Sequence, residues 1–262
     1  MNKIIIYDDE IKIENKGNIE VSVGEASKFL NVQSVKIRVL ADEDIIIDVK
    51  NVDIKLDFYI NVLKGVHVNI YEYKHGGDYK FQYKYYLEEN GYLNIEKVND
   101  GQDIHEMTVI NLNGSGAKAD FNLKTISKND EKYNFLVYHN AKNTVSNIVN
   151  NGVNILGGRL EFNVSGFVPK GKTGCDVNQS ARIINMTENT CTIKPNLFID
   201  EEDVVANHSA LIGTFKADEI FYLMSRGISL KDAENLLTKG FLLKGITYYK
   251  DVLEKMINKY WR

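Results

Sequence analysis

Two thiols and five imidazoles are the side chains of this chain best suited to holding a transition metal. Cys175 follows the polar run Gly171-Lys172-Thr173-Gly174 and is expected on a loop, whereas Cys191, in Thr190-Cys191-Thr192-Ile193, enters a strand and is expected to be structural. His208 sits in Asn207-His208-Ser209. Its neutral imidazole offers a lone pair to a metal, or else serves as a turn histidine bonded to a neighbouring strand. His139, beside Asn140, reads as a hydrogen-bonding corner. His67, His75 and His105 have no partner at metal-ligand spacing, and His105-Glu106 lacks the second histidine of a zinc helix. Nucleophile elbows, paired-cysteine zinc motifs and glycine-rich dinucleotide loops do not occur. A glycoside hydrolase would need two carboxylates about 5 to 9 Å apart on one face. Asp48, Asp53 and Asp57 are the acids that such a reading would use, and nothing in their spacing singles them out.

These residues must be positioned by a chain of 262 residues, 44% of them hydrophobic, enough for one large core or a core with an appendage. The 32 basic and 36 acidic residues leave a net charge of −4, which gives no support for a nucleic-acid partner. Two cysteines do not make a disulfide framework. The apolar run in Met1-Asn2-Lys3-Ile4-Ile5-Ile6-Tyr7 is too short for a signal peptide. No stretch approaches the roughly 20 apolar residues of a membrane span. A cytoplasmic protein is the expectation, with no membrane partner.

Residues 3 to about 200 read as short strands. Val66-His67-Val68-Asn69-Ile70-Tyr71-Glu72-Tyr73 and Val52-Asp53-Ile54-Lys55-Leu56-Asp57-Phe58 alternate as half-buried strands do. Two prolines in the whole chain suit continuous β-structure, because Pro breaks interior ladders. Polar or glycine-bearing turns such as His75-Gly76-Gly77-Asp78 separate the strands. Rhythm alone allows a sandwich, a barrel or a solenoid, and no strict short repeat decides among them. After about residue 215 the pattern turns helical. Acids open Ala217 to Arg226 and Gly227 stands where a left-handed residue would end it. Ser229, with Asp232 three residues on, reads as an N-cap; Gly240 is expected to interrupt that helix, and Tyr248 to Tyr260 reads as the last one. The division expected is a β core over 1–214 and a helical segment over 215–262.

The stretch from Thr192 to Gly245 carries a specific signature. It contains Ile193-Lys194-Pro195-Asn196-Leu197, then Val204-Val205-Ala206-Asn207-His208-Ser209-Ala210, then Phe221-Tyr222-Leu223-Met224-Ser225-Arg226-Gly227-Ile228. Upstream, His139 with Thr144 and Ser146 forms a His-x4-Thr-x-Ser pattern, followed by Gly157-Gly158-Arg159-Leu160-Glu161-Phe162. Together these resemble the SufB/SufD family of iron–sulfur cluster assembly scaffolds. The resemblance covers residues 100 to 245, while residues 1 to 100 match in general character.

The resemblance implies a mainly β protein, a right-handed parallel β-helix with a short C-terminal helical segment. It implies a non-enzymatic scaffold that pairs through its β-helix, with itself or with a SufB/SufD paralogue. The helical tail would dock an ABC-type ATPase of the SufC kind, and a cysteine desulfurase system would supply sulfur indirectly. The chain has no Gly-x4-Gly-Lys-Ser/Thr loop, so no nucleotide is expected on it. His208 matches the interface histidine of SufD-type members. The cysteine of SufB-type members falls at Ser180, in Asn178-Gln179-Ser180-Ala181-Arg182, and a hydroxyl cannot carry persulfide sulfur. Iron–sulfur clusters favour thiolates and accept histidine. His208 and Cys175 are therefore the expected ligands of a transient cluster. An adaptor homologue without cluster chemistry and a β-solenoid carbohydrate-active protein are the alternatives.

Overall fold

The computed structural model describes residues 1–7, 10–14, 17–27, 32–50 and 54–261. The strands are β1 (Asn2–Tyr7), β2 (Glu10–Glu14), β3 (Ile19–Ser27), β4 (Val32–Val39), β5 (Glu43–Lys50) and β6 (Ile54–Val62). Then follow β7 (His67–His75), β8 (Tyr79–Leu87), β9 (Tyr92–Asp100), β10 (Ile104–Leu112), β11 (Lys118–Ser127) and β12 (Glu131–His139). The last strands are β13 (Val145–Asn154), β14 (Leu160–Val168), β15 (Cys175–Asn185), β16 (Thr192–Ile199) and β17 (Val204–Gly213). Three helices close the chain: α1 (Ala217–Ser225), α2 (Leu230–Leu242) and α3 (Lys250–Tyr260).

From β4 onward the strands fall alternately into two sheets, β17-β15-β13-β11-β9-β7-β5-β1-β2 and β16-β14-β12-β10-β8-β6-β4-β3. Neighbours pair in parallel except β1 with β2 and β3 with β4. Each turn of chain thus gives one strand to each sheet, which makes a two-sheeted parallel β-solenoid followed by helices. The expected β-helix class holds, and a sandwich of antiparallel hairpins is ruled out. Strand 52–58 of the sequence reading survives as β6, although Val52 and Asp53 lie outside the described residues.

No fixed repeat was legible because the coils differ in length. His67 faces Tyr92, Tyr92 faces Lys118, Lys118 faces Val145 and Val145 faces Asp176, in steps of 25, 26, 27 and 31 residues. One corner is nevertheless constant. Gly65, Asn90, Gly116, Asn143 and Gly174 stack there with φ of 69°, 55°, 72°, 57° and 71°. Each donates its backbone N–H to a carbonyl of the next coil, as Asn90 does to Ser115 at 2.9 Å. Glycine and asparagine are the residues that enter this left-handed region most readily. They alternate for a steric reason: a Cβ on Gly116 would collide with Asn90 Oδ1, and one on Gly174 with Asn143 Oδ1. Asn90-Gly91 is therefore a corner between sheets and not a hairpin turn, while Asn151-Gly152 lies inside β13.

Inward positions hold a continuous apolar core that includes Val68, Ile70, Phe81, Leu93, Phe121 and Phe162. Outward asparagines form ladders, with Asn147, Asn178 and Asn207 each bonded to the residue one coil back at 2.6 to 3.1 Å. Ser229 caps α2 by accepting the Asp232 N–H, and Gly227 ends the preceding turn at φ 83°, both as expected. Two helix expectations need correction. Gly240 lies within α2, because Leu242 beyond it is fully buried and keeps the helix packed, and α3 begins at Lys250. α2 and α3 pack on the outward face of the first sheet, where Leu242, Tyr249, Leu253 and Ile257 share a cluster with Val98, Ile126, Val153 and Ile184. No helix among the described residues is long and apolar enough to cross a membrane.

Candidate functional site

The last full coil places the residues named from sequence. Along β15, Cys175, Val177, Gln179 and Ala181 point inward, and Asp176, Asn178 and Ser180 point outward. The register with β17 sets Cys175 opposite Val204, Gln179 opposite His208 and Ser180 opposite Ser209. His208 therefore continues an inward row. It is exposed all the same, because β17 is the outermost strand of its sheet and no further coil covers that row.

Cys175 is corrected from a polar loop to the buried start of β15, where 1% of it is exposed. Its Sγ lies 3.2 Å from Thr144 Oγ1, 3.1 Å from the Lys172 carbonyl and 3.4 Å from the Ala141 carbonyl. The polar run before it forms the corner, and the alternation of β15 carries the thiol inside. Four strand residues separate the Cys175 and His208 positions, about 13 Å along the strand direction. One chain does not bring the pair together, and no three His, Cys, Asp or Glu side chains converge among the described residues. Ser180 and Ser209 touch on the outer face, Oγ to Oγ at 3.0 Å. Cys191 is buried just before β16, 3.4 Å from Asn154 Nδ2, a structural position.

His139 ends β12 inside the solenoid. Its Nδ1 lies 2.8 Å from Thr144 Oγ1 and its Nε2 2.9 Å from Ser146 Oγ. Burial pushes the imidazole pKa down to about 4. The His-x4-Thr-x-Ser pattern is thus a polar clamp across one corner, and Thr144 extends it to the Cys175 thiol on the next coil. Glu161 is a surface residue of β14, 3.3 Å from Lys132 and 3.4 Å from Lys194. The carbohydrate-active alternative loses its carboxylates: Asp48 faces outward from the first sheet and Asp57 outward from the second. Asp53 lies outside the described residues.

Sequence reading missed the interior charges. Glu72, Lys74, Lys97 and Glu106 are all fully or almost fully buried between the sheets. Lys74 Nζ lies 2.7 Å from Glu72 and 2.6 Å from Glu106, and Lys97 Nζ lies 3.1 Å and 2.6 Å from the same two carboxylates. Tyr83 donates its hydroxyl to Glu72, and Lys97 stands 3.7 Å over the Tyr83 ring. Burial alone would raise the Glu106 carboxyl, but the two ammonium groups hold it well below the usual carboxylate range. Buried charges persist only when paired in this way. The signal was present: continuing the alternation of Val66, Val68 and Ile70 points Glu72 and Lys74 inward.

The two ends of the solenoid differ. At the first end, Glu10-Ile11-Lys12-Ile13-Glu14 lies antiparallel on β1 and puts charges on the sheet edge, which blunts it against further pairing. At the other end β16 and β17 are unpaired edges bearing Phe198, Val205, Leu211 and Ile212, each between 41% and 57% exposed. Beyond them α1 has no buried residue and leaves Phe221 74% exposed, beside Tyr222 and Met224.

Comparison with known proteins points to one family. The family described as SUF system FeS cluster assembly, SufBD core domain, matches residues 58–241. The iron-sulfur cluster assembly protein SufD of Bacillus subtilis is 33% identical over 148 residues, 55% of this chain and 34% of that protein. A SufBD family protein of Mycobacterium leprae is 34% identical over 106 residues, 40% of this chain and 12% of the relative. One of Staphylococcus epidermidis is 29% identical over 105 residues, 40% of this chain and 23% of the relative. The chain thus spans about a third or less of the length of these relatives. With more than half of its length matched and a parallel solenoid carrying the matched motifs, the chain belongs to the SufBD family of the SUF system of iron–sulfur cluster assembly.

Proposed function

We propose that this chain is a non-enzymatic scaffold component of the SUF assembly complex, paired through its open terminal coil and docked to an ABC-type ATPase of the SufC kind through α1 and the start of α2. The observation that carries the reading is the asymmetry of the two ends. A charged antiparallel hairpin blunts the first edge, whereas the β16–β17 end keeps two bare edges and exposed apolar side chains. Such an edge is an aggregation hazard unless a partner covers it. The partner is a second copy or a SufB/SufD paralogue. Phe221, Tyr222, Leu230 and Leu236, all exposed, supply the apolar anchors that dominate protein interfaces. ATP hydrolysis belongs to the docked partner, and sulfur reaches the assembly from a cysteine desulfurase system.

The nascent iron–sulfur cluster is cargo in this scheme. His208, at the exposed mouth of the last coil, is its proposed imidazole ligand, and Cys175 the proposed thiolate. Since Cys175 lies buried beneath Val204, its use requires β17 to part from β15 at their first residues. A second reading, an adaptor that leaves cluster chemistry to a cysteine-bearing paralogue, is favoured by Ser180 and by that burial. The first experiment is a pull-down with the cognate ATPase, comparing the parent with Phe221→Ser/Tyr222→Ser. Loss of capture with an unchanged circular dichroism spectrum is expected, because neither residue is buried. Undiminished capture would remove the docking assignment.

A further inference from the structure

We propose that the outward face of the second sheet is a docking groove for an acidic protein segment. The packed pair α2–α3 lies on the first sheet, so among the described residues no helix is packed over the second. Its outward positions along β6, β8, β10 and β12 carry Lys55, Lys80, Lys84 and Lys132 together with His105, against one carboxylate, Asp57. That excess of cations stands on a chain whose net charge is −4.

The arrangement is more specific than a basic patch. Lys55 pairs in register with Lys80, Lys80 with His105 and His105 with Lys132, so one straight row of potential cations climbs the solenoid. Neighbouring strands are only about 4.8 Å apart, and like charges directly opposite one another destabilise a sheet. On the first sheet one outward row is an asparagine ladder whose members bond to one another, as Asn94 does to Asn69 and Asn178 to Asn147. A row whose members repel is a departure from that local solution, and such departures concentrate at functional sites. Lys132 is engaged by Glu161, but Lys55 and Lys80 have no carboxylate partner among the described residues.

Beside the row runs a shallow cleft of about 340 Å³, in which Lys55, Lys80 and His105 line one side and Asp57, Gln82 and Asn134 the other. The lysines offer point charges and the amides offer donors and acceptors for a backbone. This chemistry fits spaced carboxylates on an extended chain. Asp57 within the cleft and Glu161 at its end interrupt the continuous positive track that a phosphate backbone needs. An acidic protein segment is therefore the occupant, ahead of a nucleic acid.

The test uses the full chain and a fluorescent peptide of alternating Glu and Ser, read by anisotropy at low ionic strength. The parent is expected to bind, with affinity falling as salt is added. Lys55→Gln/Lys80→Gln is expected to bind about tenfold more weakly, whereas Lys118→Gln, on the first sheet, should match the parent. Removing the two lysines should also raise the melting temperature at low salt, since the row repels itself. Absence of peptide binding, equal binding by the double variant, or a lowered melting temperature would overturn the proposal. So would tighter binding of a single-stranded oligonucleotide or of phosphatidylserine vesicles at the same residues.

Discussion

The carboxylate of Glu96, on β9, accepts the backbone N–H of Tyr249, the N-cap residue of α3, at 2.9 Å. The N–H groups of Thr247 and Tyr248 reach the same carboxylate at 2.7 and 2.8 Å. One side chain of the solenoid thus satisfies the N-cap donor of α3 and the two N–H groups leading into it, and its negative charge suits the positive end of the helix dipole. Glu96→Ala should cost ~1.5 to 3 kcal/mol, the range for hydrogen bonds to a charged group. Chemical denaturation should show this loss, and Glu96→Gln should recover only part of it. A cost within the range of a surface substitution would mean that the apolar contacts of α3 alone hold the tail.

Two buried groups should give stability opposite pH dependences. His139 has its pKa lowered by burial from 6.5 to about 4, so the unfolded chain takes up a proton that the folded chain refuses. Its contribution is present above pH 6.5 and is lost as pH falls towards 4, amounting to ~3 kcal/mol. Glu131 has its pKa raised by burial from 4.5 to about 7, against the pull of its Thr125 and Tyr133 hydrogen bonds. Its contribution is present below pH 4.5 and is lost as pH rises towards 7, again ~3 kcal/mol. Because the two windows overlap, the terms oppose each other in the parent; urea titrations from pH 4 to 7 should show stability falling with rising pH in His139→Gln and rising with pH in Glu131→Gln, relative to the parent.

The left-handed corner makes a steric prediction. Gly116→Ala places a Cβ against Asn90 and forces φ of 72° on a non-glycine residue. A loss of ~2 kcal/mol or more is expected in thermal or chemical melts. Asn90→Gly removes the obstructing side chain, so Gly116→Ala should be milder in that background, and a double-mutant cycle would reveal the coupling. Additive losses would show that the collision is relieved in another way.

Pairing through the open end should depend on the apolar residues of β17. Leu211→Asp/Ile212→Asp puts two charges among side chains that are already 54% and 41% exposed, so the monomer should fold normally. Light scattering at micromolar concentration should report a smaller particle than the parent gives, alone or with a paralogue present. An unchanged assembly would place the interface elsewhere.

Iron binding separates the roles of the two proposed ligands. After anaerobic reconstitution, with partner present, His208→Ala should retain less iron than the parent while melting at the same temperature, because the imidazole is exposed. Cys175→Ser should retain less iron if the terminal coil opens. Should it lose stability and keep its iron, Cys175 is a structural thiol, in keeping with its contacts to Thr144 and Lys172.

Local rules carried much of this protein. Alternation is a property of each strand, so Val66 to Tyr73 and Leu56 to Phe58 read correctly from residue order alone. Helix ends are equally local, and Ser229 and Gly227 occupy the positions their chemistry required. The family signature and the hydrogen-bonding role of His139 were also legible, since both lie within a few residues of contiguous chain. Stacking was not. Coils of 25 to 31 residues come into register only when hydrogen bonds close between chain segments far apart in sequence, so no period marked them. Whether an inward residue is buried depends on what lies one coil further on. Cys175 is sealed beneath Val204, whereas His208 holds the same face with nothing beyond it. The pairing of Glu72 with Lys97, and the choice of the first sheet as the bed for α2 and α3, were likewise settled by contacts that only the folded chain creates.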